Sequence, residues 1–504
     1  MTPKACDHCH QGKEKCSFAP TARACARCRH LGILCSMSRK KRRKGRCPVL
    51  RPFDHGSLHV WESTKVDDDA EPDMIKLKPG AIDIYRGRNN IETAHTLSHG
   101  KQRGRIEGMA MKEIFIEQIL QRRFNPRAAS DAMDVLTDDD KFTMIHVPFV
   151  MGRSFMPEFR VAIYSVMYHS TAVMVDGYLA FLGLVAHCQA SRLPLANPDL
   201  RGGARALQML RSVKIVRPQD ALCALLLGQA LFVFEVLTDS FTTSAHSIVQ
   251  SALISAQPWY QALSGVPAFD TITLCPVLLD IVGCLVYRRV PIIQLHAPER
   301  IIVDRYLGLL STLLPSLAIL CEQSQAAKSN ADNLQLRLAD QEPQADYYTH
   351  SESVIEAWVQ RIPPDFLTTY DKAEREMMMT QARVYRLAAL LIIHRLRFPL
   401  GVQDALGHCY AHRIFDEIRS LFALSDTQGA GAAFPISFPL FLSMLEVEGP
   451  GEDLMESLRR FPIQSVCMLK LHEFVRHVRT MKESGYCGLW FDLVDSGLTY
   501  AVIP

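Results

Sequence analysis

From about residue 106 onward, apolar residues recur at helical rather than strand spacing, and this pattern predicts an all-α body. Ala221 to Leu237 is almost wholly apolar, as befits a helix buried on every side. Lys372 to Phe398 predicts one long helix. Tyr385, Leu387, Leu390, Leu391 and Ile393 lie along it, and Pro399 and Gly401 stop it. Ile301 to Cys321 and Ile463 to Met481 read as further amphipathic helices, and the polar stretch from Gln325 to His350 as a loop. The longest apolar run, Ile272 to Tyr287, is broken by Pro276 and Asp280 and is too short to span a bilayer, so no membrane association is expected.

The helical pattern fades toward the N-terminus. Residues 54–105 mix Asp67-Asp68-Asp69 with several glycines and prolines, which predicts a flexible linker. Met109 to Phe124 places Met111, Phe115 and Ile119 on one face for only about two heptads, short of a zipper. Monomeric action and homodimerisation through the body both stay open. The expected organisation is a module at 1–38, a basic linker at 39–53, the flexible linker at 54–105 and the helical body at 106–504.

Charge sharpens this division. The chain has 504 residues, 48% of them hydrophobic, and a formal charge of only +3. Residues 1–51 nevertheless hold fourteen Lys and Arg against Asp7 and Glu14, a net +12, while the remainder carries −9. A basic head on an acidic body predicts that the head meets a polyanion. Met1 to Lys15 contains no apolar core of the kind a secretory signal needs, so a reducing compartment is expected, where clustered thiols bind metal rather than pair.

Six of the fifteen cysteines form a repeat: Cys6-x2-Cys9-x6-Cys16, then Cys25-x2-Cys28-x6-Cys35. A C-x2-C turn lets two thiolates grip one tetrahedral zinc, and the third cysteine of each half lies about two helical turns further on. Three ligands per half leave each tetrahedral ion one short. Six sulfurs satisfy two ions only if two of them bridge, so the count favours a binuclear cluster holding two Zn²⁺ per chain.

Ala5-Cys6-Asp7-His8-Cys9, the lone Pro20 in the connecting loop and Cys25-Ala26-Arg27-Cys28 resemble the fungal Zn₂Cys₆ binuclear cluster regulators across residues 5–35. The resemblance implies bridging by Cys6 and Cys25 and a small zinc-stabilised module of two short helices. It further implies a nuclear regulator of RNA polymerase II genes that binds double-stranded DNA, an import receptor and the transcription machinery. Relatives of this kind often control biosynthetic gene clusters. The body resembles, more weakly, the helical fungal-specific transcription factor domain, through Gly283 to Pro291, Leu390 to Leu396, Pro439 to Glu446 and Gly488 to Asp492. That likeness implies an all-α regulatory domain.

In the family the first helix faces a base triplet, typically CGG, in the major groove. The resemblance makes His10, Gly12, Lys13 and Lys15 the candidates here, with Lys13 first for guanine O6 and N7. His10 and Gly12 stand where the family usually has Arg or Lys. Lys4 and Lys15 are expected on phosphates, as are Arg27 and Arg29 beside the sugar-phosphate backbone. A plain phosphate contact or a solvated charge is the bland alternative for Lys13. Arg39-Lys40-Lys41-Arg42-Arg43-Lys44-Gly45-Arg46 should track the DNA backbone or engage the import receptor, unless it is simply a solvated tail.

An enzyme or interaction scaffold carrying a zinc module is the competing reading. No G-x-x-x-x-G-K-[ST], G-x-G-x-x-G or G-x-S-x-G motif occurs. His472 and His477 resemble a metalloprotease pair, but spacing i,i+5 leaves them about 140° apart on a helix. His169, His187 and His394 read as core or helix-surface residues, and Phe438 to Leu458 as a packed helix rather than an acidic activation segment.

Overall fold

Sequence signals at helix ends account for where the body's main elements start. Arg217 precedes Pro218, whose ring suits the first helical position, and Asp220 Oδ2 accepts from the Arg217 amide at 3.0 Å. At the start of the longest unbroken helix, the Glu374 amide donates to Asp371 Oδ1 at 2.8 Å and the Asp371 amide to Glu374 Oε2 at 3.0 Å. That helix ends at Arg397, with Phe398 extended as its C-cap before Pro399, and the chain turns at Gly401 with φ of 85°.

The computed structural model describes residues 6, 9, 16, 17, 24–31 and 35, and then 126–191, 200–238, 244–296, 298, 300–334, 347–425, 435–458, 461–498 and 502–504. The chain divides into two compact units, 1–94 and 95–504. In the first, one helix is described, α1 (Ala26–His30). The linker 54–105 and the candidate zipper at Met109 to Phe124 lie outside the described residues.

The second unit is built from helices. Its first half holds α2 (Pro126–Thr137), α3 (Asp139–His146), α4 (Met156–Ser191), α5 (Leu200–Ser212), α6 (Pro218–Leu237), α7 (Ser244–Ser264) and α8 (Asp270–Tyr287). Its second half holds α9 (Leu314–Leu334), α10 (Thr349–Ala357), α11 (Lys372–Arg397), α12 (Asp404–Ser425), α13 (Ser437–Glu446), α14 (Pro450–Ser457) and α15 (Pro462–Glu483). α6 packs between α4 and α7, and α11 packs on α12. α15 joins the halves by packing on α4, α6 and α13, so one hydrophobic core runs through the unit. No strand occurs among the described residues; an isolated antiparallel bridge pairs Asp304 with Gly308.

Two expectations are corrected. Residues 301–309 are not helical: Asp304 Oδ1 accepts from the amides of Tyr306 at 2.9 Å and Leu307 at 3.0 Å, and Gly308 takes φ of 53°. This side-chain cap closes a tight turn, a short 3₁₀ segment follows at Leu310–Thr312, and the α-helix starts only at Leu314. The helix then runs on to Leu334, through the first part of the stretch expected as a loop.

The apolar run around Pro276 is the second correction. Val173–Ala190, Pro218–Leu237 and Pro267–Tyr287 are all long and apolar enough to cross a membrane by length and composition, so shortness does not exclude the last of them. Here 89% of that window is buried inside the protein, and Asp280 within it is satisfied by protein donors.

Candidate metal centre

Cys25 occupies the N-cap of α1 with extended backbone, φ −66° and ψ 155°, and its Sγ accepts from the Cys28 amide at 3.4 Å. The first half of the repeat does the same: Cys6 Sγ accepts from the Cys9 amide at 3.4 Å. Each C-x2-C turn thus aims an amide at its own leading sulfur. The correspondence extends to the third cysteine, since the Cys6 amide donates to Cys16 Sγ at 3.3 Å and the Cys25 amide to Cys35 Sγ at 3.4 Å. The two halves are related by a shift of nineteen positions in sequence and by matching hydrogen bonds in space.

Those turns bring all six sulfurs together. Cys6 and Cys25 lie 3.8 Å apart, Cys6 and Cys28 3.6 Å, and Cys9 and Cys25 3.7 Å. Cys6, Cys9, Cys16 and Cys25 form one group of four whose sulfurs all lie within 4.8 Å of one another. Cys6, Cys25, Cys28 and Cys35 form a second. Cys6 and Cys25 belong to both. Cys6, Cys9, Cys25 and Cys28 are buried, while Cys16 and Cys35 are partly exposed.

The donor set fits zinc. Tetrahedral coordination at a Zn–S distance of about 2.3 Å puts sulfurs about 3.8 Å apart, whereas a disulfide would bring them to about 2.05 Å. None of the six is paired in a disulfide. The Cys28 amide, with help from neighbouring thiols, outweighs burial and holds the Cys25 thiol down at about 6. Burial and the thiols of Cys6 and Cys25 push Cys9 up to about 12. Packing so many thiols together opposes ionisation, and a bound dication removes that opposition.

The residues expected to touch DNA are described only in part. Arg27 and Arg29 sit on α1, Arg27 partly buried and Arg29 exposed, with Arg29 Nη2 donating to the Ala24 carbonyl at 3.5 Å. Lys4, His10, Gly12, Lys13 and Lys15 lie outside the described residues, as do Arg39, Lys40, Lys41, Arg42 and Arg43. So does the first expected helix apart from Cys9.

In the body, His472 and His477 both lie on α15, and the His472 ring lies 3.8 Å from Glu452. His394 is buried with Nε2 at 3.1 Å from the Gln403 carbonyl, His169 is exposed and His187 partly buried. One buried polar cluster had gone unread in the sequence. Asp280 on α8 accepts from the Ile292 amide at 2.7 Å, Gln250 Nε2 at 3.1 Å and His246 Nε2 at 3.1 Å, with Cys284 Sγ at 3.5 Å. Its signal was two i,i+4 pairs, His246 with Gln250 and Asp280 with Cys284, which face each other across α7 and α8.

Two four-thiolate sites sharing an edge define a binuclear metal-thiolate cluster. Residues 4–45 match the family model of the fungal Zn(2)-Cys(6) binuclear cluster domain, and such a cluster binds two zinc ions. This domain is typical of fungal DNA-binding transcription regulators, which are generally not enzymes and are typically nuclear. No curated protein and no solved structure matches the chain.

Proposed function

We propose that the chain is a nuclear, zinc-dependent, sequence-specific regulator of RNA polymerase II genes. The observation that carries this reading is the fused pair of thiolate sites on a segment whose net charge is +12. Cys6 and Cys25 are the bridging ligands, each ion being completed by two cysteines from its own half. Lys13 reads a guanine in a CGG-like triplet from the helix that follows Cys9, with His10 and Gly12 close to the bases. Lys4, Lys15, Arg27 and Arg29 fix the module on phosphates, and Arg39 to Arg43 follow the backbone and serve nuclear import. The helical body is the regulatory domain, the surface for the transcription machinery and for any second copy of the chain, and control of a biosynthetic gene cluster is the expected setting.

The test compares full-length zinc-loaded protein on a CGG duplex, a scrambled duplex and single-stranded RNA across a salt series. Preference for the CGG duplex by about tenfold or more is expected, in line with about 1–3 kcal/mol per bidentate base contact. Lys13→Ala should reduce that preference while leaving the salt slope nearly unchanged, and Cys25→Ala should abolish binding. Equal affinity for all three nucleic acids, or binding by Cys25→Ala as tight as by the native chain, would sink the reading.

A further inference from the structure

A cavity of about 80 Å³ lies inside the helical body, walled by α3, α4, α6, α8, α15 and the turn at 304–308. Its wall is mostly hydrocarbon, including Phe159, Phe181, Leu226, Ala230, Leu279 and Ile463. His146, Tyr178, Gln229 and Arg305 are among its polar members.

The first two are closed on each other. His146 Nδ1 lies 2.9 Å from the Phe142 carbonyl and Nε2 3.1 Å from the Tyr178 hydroxyl, so this network has Nδ1–H donating to the carbonyl and the phenol donating to Nε2. Burial drives His146 down to about 3 and the Tyr178 phenol upward, so both are neutral near pH 7.

Arg305 is different, because it is a permanent cation only 4% exposed. Its Nε donates to the Thr271 carbonyl and hydroxyl at 3.1 and 2.9 Å, Nη1 to the Phe149 carbonyl at 2.6 Å and Nη2 to Gln229 Oε1 at 3.0 Å. Its face stacks on Phe159, 3.9 Å from the ring centroid. Every one of these acceptors is neutral. Asp304, next in the chain, turns Oδ1 to the amides of Tyr306 and Leu307, and burial pushes its carboxyl upward against the pull of Arg305. No ion pair joins Arg305 to a carboxylate within 4.0 Å among the described residues. Three of the five guanidinium N–H groups are used by these bonds, and the guanidinium also reaches the buried, uncharged Cys275 thiol in the cavity wall.

Buried charge is costly unless it is paired, and a guanidinium matches a carboxylate in both charge and shape. We propose that this cavity binds a small apolar carboxylate, its hydrocarbon part against the apolar wall and its carboxylate on Arg305. The site lies wholly within the body, so it stands or falls separately from the DNA-binding reading.

Calorimetry on the full zinc-loaded chain at pH 7.5 tests it with two matched pairs of probes small enough for the cavity, isobutyrate against isobutyramide and butyrate against butyramide. Each acid should bind about tenfold or more tightly than its amide, as expected when only one of the two supplies a counter-charge. Arg305→Met should bring acid and amide within about twofold of each other. Ala230→Leu, which fills the cavity and leaves Arg305 in place, should weaken acid and amide alike by about fivefold or more while keeping the acid preferred. Circular dichroism establishes that each variant is folded, and the Ala230→Leu result decides the matter should Arg305→Met not fold. Equal binding of acid and amide to the native chain, no binding of either acid at millimolar concentration, or acid binding untouched by Ala230→Leu would each overturn the proposal.

Discussion

At the scale of single residues, the body's interior is set by polar groups that it neutralises or pairs. His146 is buried, stacked on Phe142 at 4.0 Å, and held neutral down to about pH 3, whereas in the unfolded chain it titrates near 6.5. Between those values the unfolded state takes up a proton that the native state refuses, so stability falls as the pH drops through this window. The slope reaches about 1.4 kcal/mol per pH unit and vanishes above about 7. Urea titrations of the native chain and of His146→Phe between pH 4 and 8 should diverge only below about 6.5, and parallel curves throughout would refute this assignment. Arg395 shows the other solution. Buried to 1%, it donates to Glu446 Oε1 at 2.8 Å and to Asp404 Oδ1 at 2.8 Å, with further bonds to the carbonyls of Pro399 and Val402. Sequence alone placed His394 and Arg395 on a helix and Glu446 in a packed one, and both placements are right, although Phe438 to Leu458 is two helices, Ser437–Glu446 and Pro450–Ser457, rather than one. It could not say that residues fifty-one positions apart neutralise each other, because hydrophobic period reports which face is buried and not which polar groups meet there.

At the scale of elements, packing overrides local preference where helices approach closely. Gly283 lies mid-helix in α8, where alanine should gain about 1 kcal/mol in propensity. A Cβ at that position would come within 2.3 Å of His246 Nε2, the atom that bonds Asp280 at 3.1 Å. Gly283→Ala must therefore displace the imidazole and free a buried carboxylate bond, so it should lower unfolding free energy by about 1–3 kcal/mol despite the better helix former. Denaturant midpoints decide it, and a variant as stable as the native chain would show that α7 and α8 can separate without penalty. The long helix from Lys372 and its stop were the most legible part of the sequence, since Pro399 and Gly401 act through their immediate neighbours, as the Asp371 and Glu374 caps do at its start. The segment from Ile301 was misread because its apolar spacing is helical while Asp304 and Gly308 enforce a turn that buries the same residues. Periodicity cannot distinguish a buried turn from a helix when a single aspartate side chain makes the choice.

At the scale of the whole molecule, charge and metal divide the chain's tasks along its length. The zinc cluster was legible because six cysteines at fixed spacing leave few chemical alternatives, and the 3.6–3.8 Å sulfur separations agree with that count. The ligand of a helical cavity was not legible, because Arg305 and Phe159 meet only after the core has formed. In so small a unit metal binding is folding energy, whereas the body rests on a continuous core drawn from residues 132–503. Chelation should therefore abolish DNA binding and leave far-UV helicity nearly intact, because every described helix except the five residues of α1 lies beyond residue 125. The basic run makes a separate contribution. If Arg39 to Arg46 neutralise about six phosphates, the log–log dependence of affinity on salt should flatten by about five when those residues are replaced by glutamine, at about 0.9 per contact. Such a variant should still tell CGG from scrambled duplex, since phosphate contacts carry no sequence information. A chelated protein that keeps its DNA affinity, or a glutamine variant that keeps the native salt slope, would show that the polyanion meets some other part of this chain.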